Sequence, residues 1–287
     1  MVGNVRQWVG VTLRLLMAAV FVVSALAKLF AIDHFEIYIF SYGILPLNLC
    51  FLLARLCIGV ELAVALFLLT GWYPRLTRTV TVMLLLAFTL FLCYAALAGR
   101  SDSCQCFGKM VEMSPWQSIL KNAILLVLVL LSYRYGTTAR LPRLWMPLTL
   151  TVVLFVLPFV ISVPDNWAFG PSRENFNREA FSEALEFRRS DPQIVEPSEP
   201  YLLAFVTRGC PYCRMAREKL STIASRHDID SSRIVYVEPK DLPGDLFVQV
   251  TYGSRPLLLL LDSDSVLATY HFRNIDERQI SDLLGEE

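Results

Sequence analysis

The chain has 287 residues, of which 55% are hydrophobic and only 18% are charged, against roughly 25% charged in an average soluble protein. The net charge of zero conceals two opposite halves: residues 1–163 carry 12 Lys or Arg against 5 Asp or Glu (+7), whereas residues 164–287 carry 14 against 21 (−7). The basic residues are scattered and the second half is acidic, which argues against nucleic-acid binding. The change from a basic, apolar half to an acidic half predicts a membrane domain followed by an acidic globular domain.

Five apolar segments in the first half are each about 20 residues long, the length that crosses the ~30 Å hydrocarbon core of a bilayer. These predicted spans are Val9–Phe30, Leu47–Thr70, Thr79–Ala98, Trp116–Tyr135 and Leu144–Val163. A cleaved signal peptide is the alternative for the first span, because Ala25-Leu26-Ala27 resembles a cleavage site. Arg14, inside the apolar stretch, argues against cleavage.

Several charged residues fall inside these spans. Arg14 and Glu61 lie at similar depths on neighbouring spans, so we expect them to pair, because an isolated charge within a bilayer is costly. For Arg55 the candidate partners are Asp33 and Glu36 in the adjacent loop.

The charges of the loops predict which face of the membrane each loop occupies. The N-terminus and the loops after the second and fourth spans hold six Arg, whereas the loops of the other face hold four Lys or Arg. The positive-inside rule therefore places the N-terminus in the cytoplasm and the C-terminal domain outside it. A cysteine pair that needs to be oxidised favours the same orientation.

The loop between the third and fourth spans contains a cysteine pair, Cys104-Gln105-Cys106. Cysteines one residue apart can form only a strained disulfide, and strain makes a disulfide easier to reduce. Met110 and Met113 add soft sulfur ligands, so a Cu(I) site built from Cys104, Cys106 and these two methionines is the alternative to a redox role. A purely structural role is a third interpretation.

With the spans placed, the first 135 residues resemble the MauE family of methylamine-utilisation membrane proteins, within the broader DoxX-like group. The matching segments are Ala25–Leu29, Tyr42–Pro46, Glu61 and Cys104–Gly108. The family usually has glycine between the two cysteines, so Gln105 is a departure. The family has four spans, so the resemblance implies that the fifth is a tether to the fused domain. It also implies a bacterial cytoplasmic membrane protein that helps to mature a disulfide-rich dehydrogenase subunit, together with a thioredoxin-like partner.

The second half predicts a linker and then a mixed α/β domain. Residues 164–200 form the linker, with one amphipathic helix in which Phe176, Ala180, Ala184 and Phe187 recur at helical spacing. The predicted elements of residues 201–287 are strands at 201–206, 233–237, 257–261 and 266–272 and helices at 214–225, 245–251 and 276–284.

Two cysteines stand between the first of these strands and the helix that follows, in the sequence Cys210-Pro211-Tyr212-Cys213. The attacking species in disulfide exchange is a thiolate, and the N–H groups at a helix N-terminus stabilise its negative charge. We therefore predict that Cys210 is the nucleophile and that Cys213, one turn deeper, is the resolving thiol. Zinc binding is the alternative, but it needs about four ligands, and this half offers only His227 and His271 besides.

This motif resembles the thioredoxin superfamily, and Cys-Pro-Tyr-Cys is the form typical of glutaredoxins. Members of the superfamily carry a cis-proline before a strand that packs against the dithiol, and Pro256 matches it, so the resemblance implies that Pro256 shapes the client groove. Asp262-Ser263-Asp264 replaces the Gly-Gly pair that helps glutaredoxins to hold glutathione, so glutathione is not implied. Strongly oxidising relatives have histidine between the cysteines, so Tyr212 favours reductase or isomerase work.

Two spans separate the loop of Cys104 and Cys106 from the C-terminal domain. By parity, both cysteine pairs lie on one face of the membrane, whichever way the protein is inserted, and this predicts a dithiol relay. The sequence thus predicts an α-helical multi-pass membrane bundle with an α/β thioredoxin-like domain, which acts as a thiol–disulfide oxidoreductase on extracytoplasmic cysteine-containing proteins. A Cu(I)-binding metallochaperone or a non-catalytic assembly factor is the alternative. No cofactor is firmly implied, and quinone and Cu(I) are the two that stay open.

Overall fold

The structure is a computed structural model that describes residues 2–98, 114–135, 142–164, 176–190, 200–263 and 265–285. It divides into two units, the first comprising Met1–Tyr38 and Leu52–Val163 and the second comprising Ile39–Phe51 and Pro164–Glu287. The sequence did not predict that Ile39–Phe51, which precedes and opens the third helix, belongs with the C-terminal unit.

The described part of the N-terminal half is helical. Its helices are α1 (Val2–Phe30), α2 (Ile32–Phe40), α3 (Leu47–Thr70), α4 (Pro74–Leu97), α5 (Pro115–Arg134) and α6 (Trp145–Ile161). Of these, α1, α3, α4 and α5 are long and apolar enough to cross a membrane, which confirms four of the predicted spans. The short helix α2 is an element that the sequence did not predict.

The outer surface of these helices is apolar. On α4, for example, Met83 is 67% exposed and Leu90 is 71% exposed. An isolated exposed leucine is ordinary in a soluble protein, but whole faces of leucine and valine on four long helices need a hydrocarbon solvent. The first partner of this protein is therefore the lipid bilayer.

The segment of the fifth predicted span forms α6, an apolar helix of 17 residues that is shorter than the four helices long enough to cross a membrane, so a fifth crossing stays a prediction. Hydrogen bonds connect both of its ends to α3 or the residues after it. The Tyr73 hydroxyl, just beyond the end of α3, donates a hydrogen bond to the Pro142 carbonyl oxygen before α6 (3.4 Å). Arg55 Nε, about two turns into α3, donates to the Ser162 carbonyl oxygen just after α6 (2.8 Å). Thus α6 runs antiparallel to α3.

The expected pairing of Arg14 with Glu61 is wrong. Lys28 Nζ donates to both carboxylate oxygens of Glu61, at 2.8 and 3.0 Å, and to the Ser24 hydroxyl at 2.7 Å. The side chains of Lys28 and Glu61 are each only 3% exposed, so each charge has its partner inside the bundle. Arg14 instead lies against Gly71, where a β-carbon would clash with its guanidinium. Gly71, the first residue after α3, is ~15 Å from Glu61 along the helix axis, too far for the Arg14 side chain to reach both.

Arg55 pairs with Glu36, one of its two candidate partners. Both side chains are almost fully buried, and Glu36 belongs to α2, the helix that the sequence did not predict. Arg55 therefore ties three elements of the first unit together: α2 through Glu36, its own helix α3, and the end of α6 through Ser162. These contacts give the Arg55 guanidinium its partners, because an unpaired cation within a bilayer costs free energy.

The C-terminal part is a mixed α/β domain. Its elements are α7 (Arg178–Ser190), β1 (Tyr201–Phe205), α8 (Pro211–Arg226), β2 (Ile234–Val237), α9 (Leu246–Thr251), β3 (Leu257–Asp262), β4 (Ser265–His271) and α10 (Glu277–Leu284). The sheet has the strand order β2-β1-β3-β4, with β1 parallel to β2 and the other neighbours antiparallel. The predicted fold class and the predicted order of elements are confirmed.

The core of this domain lies between the central strands and the helices. All residues of β1 are buried, as are the five leucines of β3, because each of these strands has a neighbour on both sides and is covered on its faces. Aromatic rings extend the core to α7, with Phe181 6.4 Å from Phe205. The buried face of α7 is slightly rotated from the predicted one, since Leu185 is buried and Phe187 is 39% exposed.

The segment Ile39–Phe51 joins the second unit through α10. The backbone N–H of Leu47, the first residue of α3, donates to Glu277 Oε2 at 2.6 Å. A helix N-terminus carries unpaired N–H groups, so a carboxylate is a favourable partner there. Glu277 also accepts a hydrogen bond from His227 Nε2 at 3.1 Å and lies 3.5 Å from Arg226 Nε.

We predict that breaking the buried Lys28–Glu61 pair destabilises the protein. Lys28→Met or Glu61→Leu alone leaves one buried charge without its partner, which typically costs about 3–5 kcal/mol, whereas the double variant removes both charges. Thermal unfolding in detergent should therefore show a large drop in Tm for each single variant and a smaller one for the double. Arg75→Gln, which removes an exposed cation, is the matched control. A double variant as unstable as the sum of the two singles would contradict the pairing.

Candidate functional site

The dithiol turn begins where β1 ends. The backbone N–H of Val206 donates to the Val237 carbonyl oxygen at 2.9 Å, which extends the pairing of β1 with β2 by one residue. The chain then turns through Gly209, whose φ of +82° lies in the left-handed region that favours glycine. A β-carbon at Gly209 would meet nothing within 4 Å, so the need for glycine is conformational and not steric.

Cys210 occupies the N-cap of α8, followed by Pro211 in the first turn. Its Sγ accepts a hydrogen bond from the Cys213 backbone N–H at 3.2 Å, as the side-chain oxygen of Ser or Asp does at an ordinary N-cap. Cys210 is half-buried, so its sulfur is accessible, and the position suits the predicted nucleophile.

Cys213 is in a different environment, since only 1% of it is exposed. Burial raises the pKa of the Cys213 thiol to about 11, the hydrogen bond with Cys210 acts in the same direction, and a backbone hydrogen bond from Thr207 opposes both. The Thr207 hydroxyl lies 4.0 Å from Cys213 Sγ. Cys213 is therefore protonated at neutral pH in the reduced protein, as a resolving thiol should be before its turn to react.

Pro256 lies at the same edge of the sheet as the dithiol. Phe205, at the end of β1, pairs with Leu257, at the beginning of β3, so Pro256 stands beside the point where β1 leaves for the dithiol turn. The Arg255–Pro256 peptide bond is cis, as the resemblance implies, and Pro256 is buried. His271 Nδ1 donates to the Pro256 carbonyl oxygen at 3.3 Å, which anchors the proline to β4.

Sequence reasoning missed an aromatic and cationic cluster under Tyr212. Tyr212 is 43% exposed, and its ring lies 5.2 Å from that of the buried Phe272. The buried Lys219 donates from Nζ to the Phe272 carbonyl oxygen at 3.3 Å and lies 4.0 Å from the centre of the Phe272 ring. The periodicity of α8 could have found Lys219, because it stands between Ala216 and Leu220 on the inward face.

The two histidines that could have completed a zinc site are engaged elsewhere, His227 with Glu277 and His271 with Pro256. Within the described residues, no group of three or more His, Cys, Asp or Glu side chains could hold a metal ion. The other predicted site residues, Cys104, Cys106, Met110 and Met113, lie outside the described residues.

Comparisons with known proteins place the two halves in context. Residues 6–134 match the family model described as "Methylamine utilisation protein MauE". A curated protein of Flavobacterium psychrophilum, named "Protein TlpB", is 30% identical across 82% of this chain and 78% of its own length. This similarity therefore extends well beyond the membrane helices. No solved structure matches the chain.

We predict that the two thiols of the reduced protein react with an alkylating agent at very different rates. At pH 8 Cys213 is about three pH units below its pKa, so only ~0.1% of it is thiolate, and it is buried as well. Mass spectrometry after brief iodoacetamide treatment should find the label on Cys210 and almost none on Cys213.

Labelling of Cys213 should rise only as the pH approaches 11, because the deprotonated fraction grows tenfold per pH unit up to the pKa. The Cys210→Ser variant isolates the deeper thiol, and the Cys213→Ser variant should retain fast labelling. Equal labelling of both cysteines at pH 8 would contradict the assignment of roles.

Proposed function

Since this chain belongs to the MauE family of membrane proteins, we propose that it is a membrane-bound thiol–disulfide oxidoreductase whose C-terminal domain is thioredoxin-like. The observation that carries this proposal is the placement of Cys210 at the N-cap of α8, with the buried Cys213 one turn behind it. The first thiol is the less buried of the two and stands at the beginning of the helix, while the second is buried, so the first can react with a client and the second can act afterwards, as two-step disulfide exchange requires.

The exchange proceeds in two balanced steps. The Cys210 thiolate attacks one sulfur of a client disulfide, that disulfide breaks, and the client sulfur that leaves takes up a proton. Cys213 then loses its proton and attacks the Cys210 sulfur of the mixed disulfide, which releases the second client sulfur and forms the Cys210–Cys213 disulfide. Two electrons have moved from the dithiol to the client. Pro256, at the same edge of the sheet, shapes the groove in which the client lies.

The clients that we propose are cysteine-rich proteins outside the cytoplasm that require disulfide maturation. This class of client is what the resemblance to the MauE family implies, and residues 6–134 match the model of that family. Tyr212, in the place of the histidine of strong oxidants, favours reduction or isomerisation of wrong disulfides over oxidation of free thiols. The Cu(I) alternative depends on Cys104, Cys106, Met110 and Met113, and no observation on the described residues favours it.

We further propose that Cys104 and Cys106 exchange electrons with the Cys210–Cys213 pair. The relay requires both pairs on one face of the membrane, and therefore an odd number of crossings before the C-terminal domain. The course of α6 supports a fifth crossing, because it begins beside Tyr73, just beyond the end of α3, and ends beside Arg55, 18 positions earlier in the chain. Disulfide exchange between the two pairs is then a reversible transfer of two electrons.

The orientation that we propose places the N-terminus in the cytoplasm and the C-terminal domain outside a bacterial cytoplasmic membrane. Alkaline phosphatase fused after Glu287 should therefore be active, and a fluorescent protein that folds only in the cytoplasm should be dark at the same position. Fusions at Tyr73, in the loop after α3, should give the opposite pair of results. A dark phosphatase with a bright fluorophore after Glu287 would overturn the orientation.

We predict that Cys213→Ser traps clients. Without the resolving thiol, the mixed disulfide through Cys210 has no fast route to completion, so client adducts should accumulate and should disappear on reduction. Non-reducing electrophoresis of cells quenched with acid measures them.

The Cys210→Ser variant is the matched control and should trap few adducts, because Cys213 is buried and protonated. Equal trapping by the two variants would show that the roles of the thiols are assigned wrongly. An absence of adducts with both would overturn the proposed exchange with protein clients.

A further inference from the structure

The edge of the sheet that carries the dithiol also carries a concentration of positive charge. β1 and β2 run parallel and end at this edge, whereas β3 begins there. Arg208 follows β1, Arg214 comes directly after Cys213, and Arg255 immediately precedes Pro256. All three side chains are exposed. We call Arg208, Arg214 and Arg255 the arginine rim.

The charge of the rim is not neutralised by its neighbours. Arg208 Nε donates to Glu238 Oε2 at 3.1 Å. Glu238 also forms ion pairs with Arg217 at 3.1 Å and with Lys240 at 3.6 Å, so three cations share one carboxylate. Neither Arg214 nor Arg255 forms an ion pair within the part of the chain that the structure describes. Arg255 lies 5.9 Å from the centre of the Phe247 ring, a contact that leaves its charge uncompensated.

This basic edge contrasts with the rest of the C-terminal half. Residues 164–287 carry a net charge of −7, so the cations around Cys210 stand against an acidic background. The opposite edge, where β3 ends and β4 begins, presents the exposed Asp262. The three rim arginines therefore stand out locally against the acidic net charge of this half.

We propose that the arginine rim selects protein clients whose reactive disulfide is flanked by Asp or Glu. This inference rests on the proposed function and names its substrate class. A client that presents a disulfide to Cys210 brings the residues on either side of that disulfide over the rim. Arginine forms paired hydrogen bonds with carboxylates, the local field speeds the approach of acidic segments, and like charge repels basic ones.

The position of the rim favours a protein client over anionic lipid headgroups. The three arginines belong to three different segments at the edge of the sheet that carries Cys210, namely the turn after β1, the beginning of α8 and the turn before β3. A lipid headgroup has no disulfide that could react with Cys210, whereas the disulfide of a client must come within bonding distance of the Cys210 sulfur.

The test uses the full chain, reduced, in nanodiscs of zwitterionic lipid. Three peptides share one internal disulfide and differ only in their flanking residues, which are Asp, Asn or Lys. Each exchange rate is divided by the rate with 2-hydroxyethyl disulfide, a small uncharged substrate. In every reaction the Cys210–Cys213 pair is oxidised to its disulfide, and the substrate disulfide is reduced to two thiols.

The Asp peptide should react at least tenfold faster than the Lys peptide at low ionic strength. The difference should shrink toward parity in 1 M salt, where the Debye length is about 3 Å. The combined variant Arg208→Gln, Arg214→Gln and Arg255→Gln should abolish the preference. The control variant Arg178→Gln and Arg189→Gln should keep it, because these α7 residues line a cavity beside Ser265 at the opposite edge.

Equal normalised rates for the three peptides in the native protein would overturn the inference while leaving the oxidoreductase in place, since the small disulfide would still react. Failure of the small disulfide and of all peptides would overturn the proposed function itself. Repeating the experiment in nanodiscs of anionic lipid distinguishes a rim that binds acidic peptides from a rim that binds lipid headgroups. If anionic lipid suppresses peptide exchange in the native protein but not in the rim variant, the rim binds lipid and the client proposal is wrong.

Discussion

A sulfur atom caps helix α8, and the different environments of the two cysteines of the dithiol depend on that one interaction. The hydrogen bond from the Cys213 N–H to Cys210 Sγ joins the two cysteines before any disulfide forms between them. It exists because Gly209 allows the chain to turn and because Pro211 begins the helix directly after Cys210. The same turn buries Cys213, so one local conformation separates an accessible thiol from a protected one. Helix capping, an ordinary feature of folding, thereby prepares the chemistry.

The membrane half solves a different physical problem, which is how to hold charges away from water. Lys28 with Glu61, and Arg55 with Glu36, are paired inside the helices of the first unit. The second pair also fixes the end of α6, so the burial of one cation helps to determine the course of the last membrane-half helix. That course sets the parity of crossings on which a relay between the two cysteine pairs depends.

The sequence predicted those features that depend on local pattern. The lengths of the apolar segments predicted the four long helices. Strand and turn signals predicted the order of elements around Cys210. Features that depend on tertiary contacts were not predictable. The pairing of Arg14 with Glu61 failed because depth along a helix does not say which face a side chain occupies, and Lys28 was the nearer cation. Glu277 gave no local sign that it would cap a helix 230 residues away. His271 was considered only as a metal ligand, and the structure shows it holding Pro256.

The proposed relay would make the membrane half and the soluble domain one redox system. Its most direct test is the oxidised fraction of Cys210 and Cys213 in growing cells, measured by acid quenching, labelling of free thiols with a bulky maleimide and electrophoresis. Replacing both Cys104 and Cys106 by serine should leave the Cys210–Cys213 pair almost completely in one redox state, with an oxidised fraction close to zero or close to one. Replacing the membrane-helix cysteines Cys50, Cys57 and Cys93 should leave it unchanged. An oxidised fraction that is the same with and without Cys104 and Cys106 would contradict the relay and leave the membrane half as an anchor.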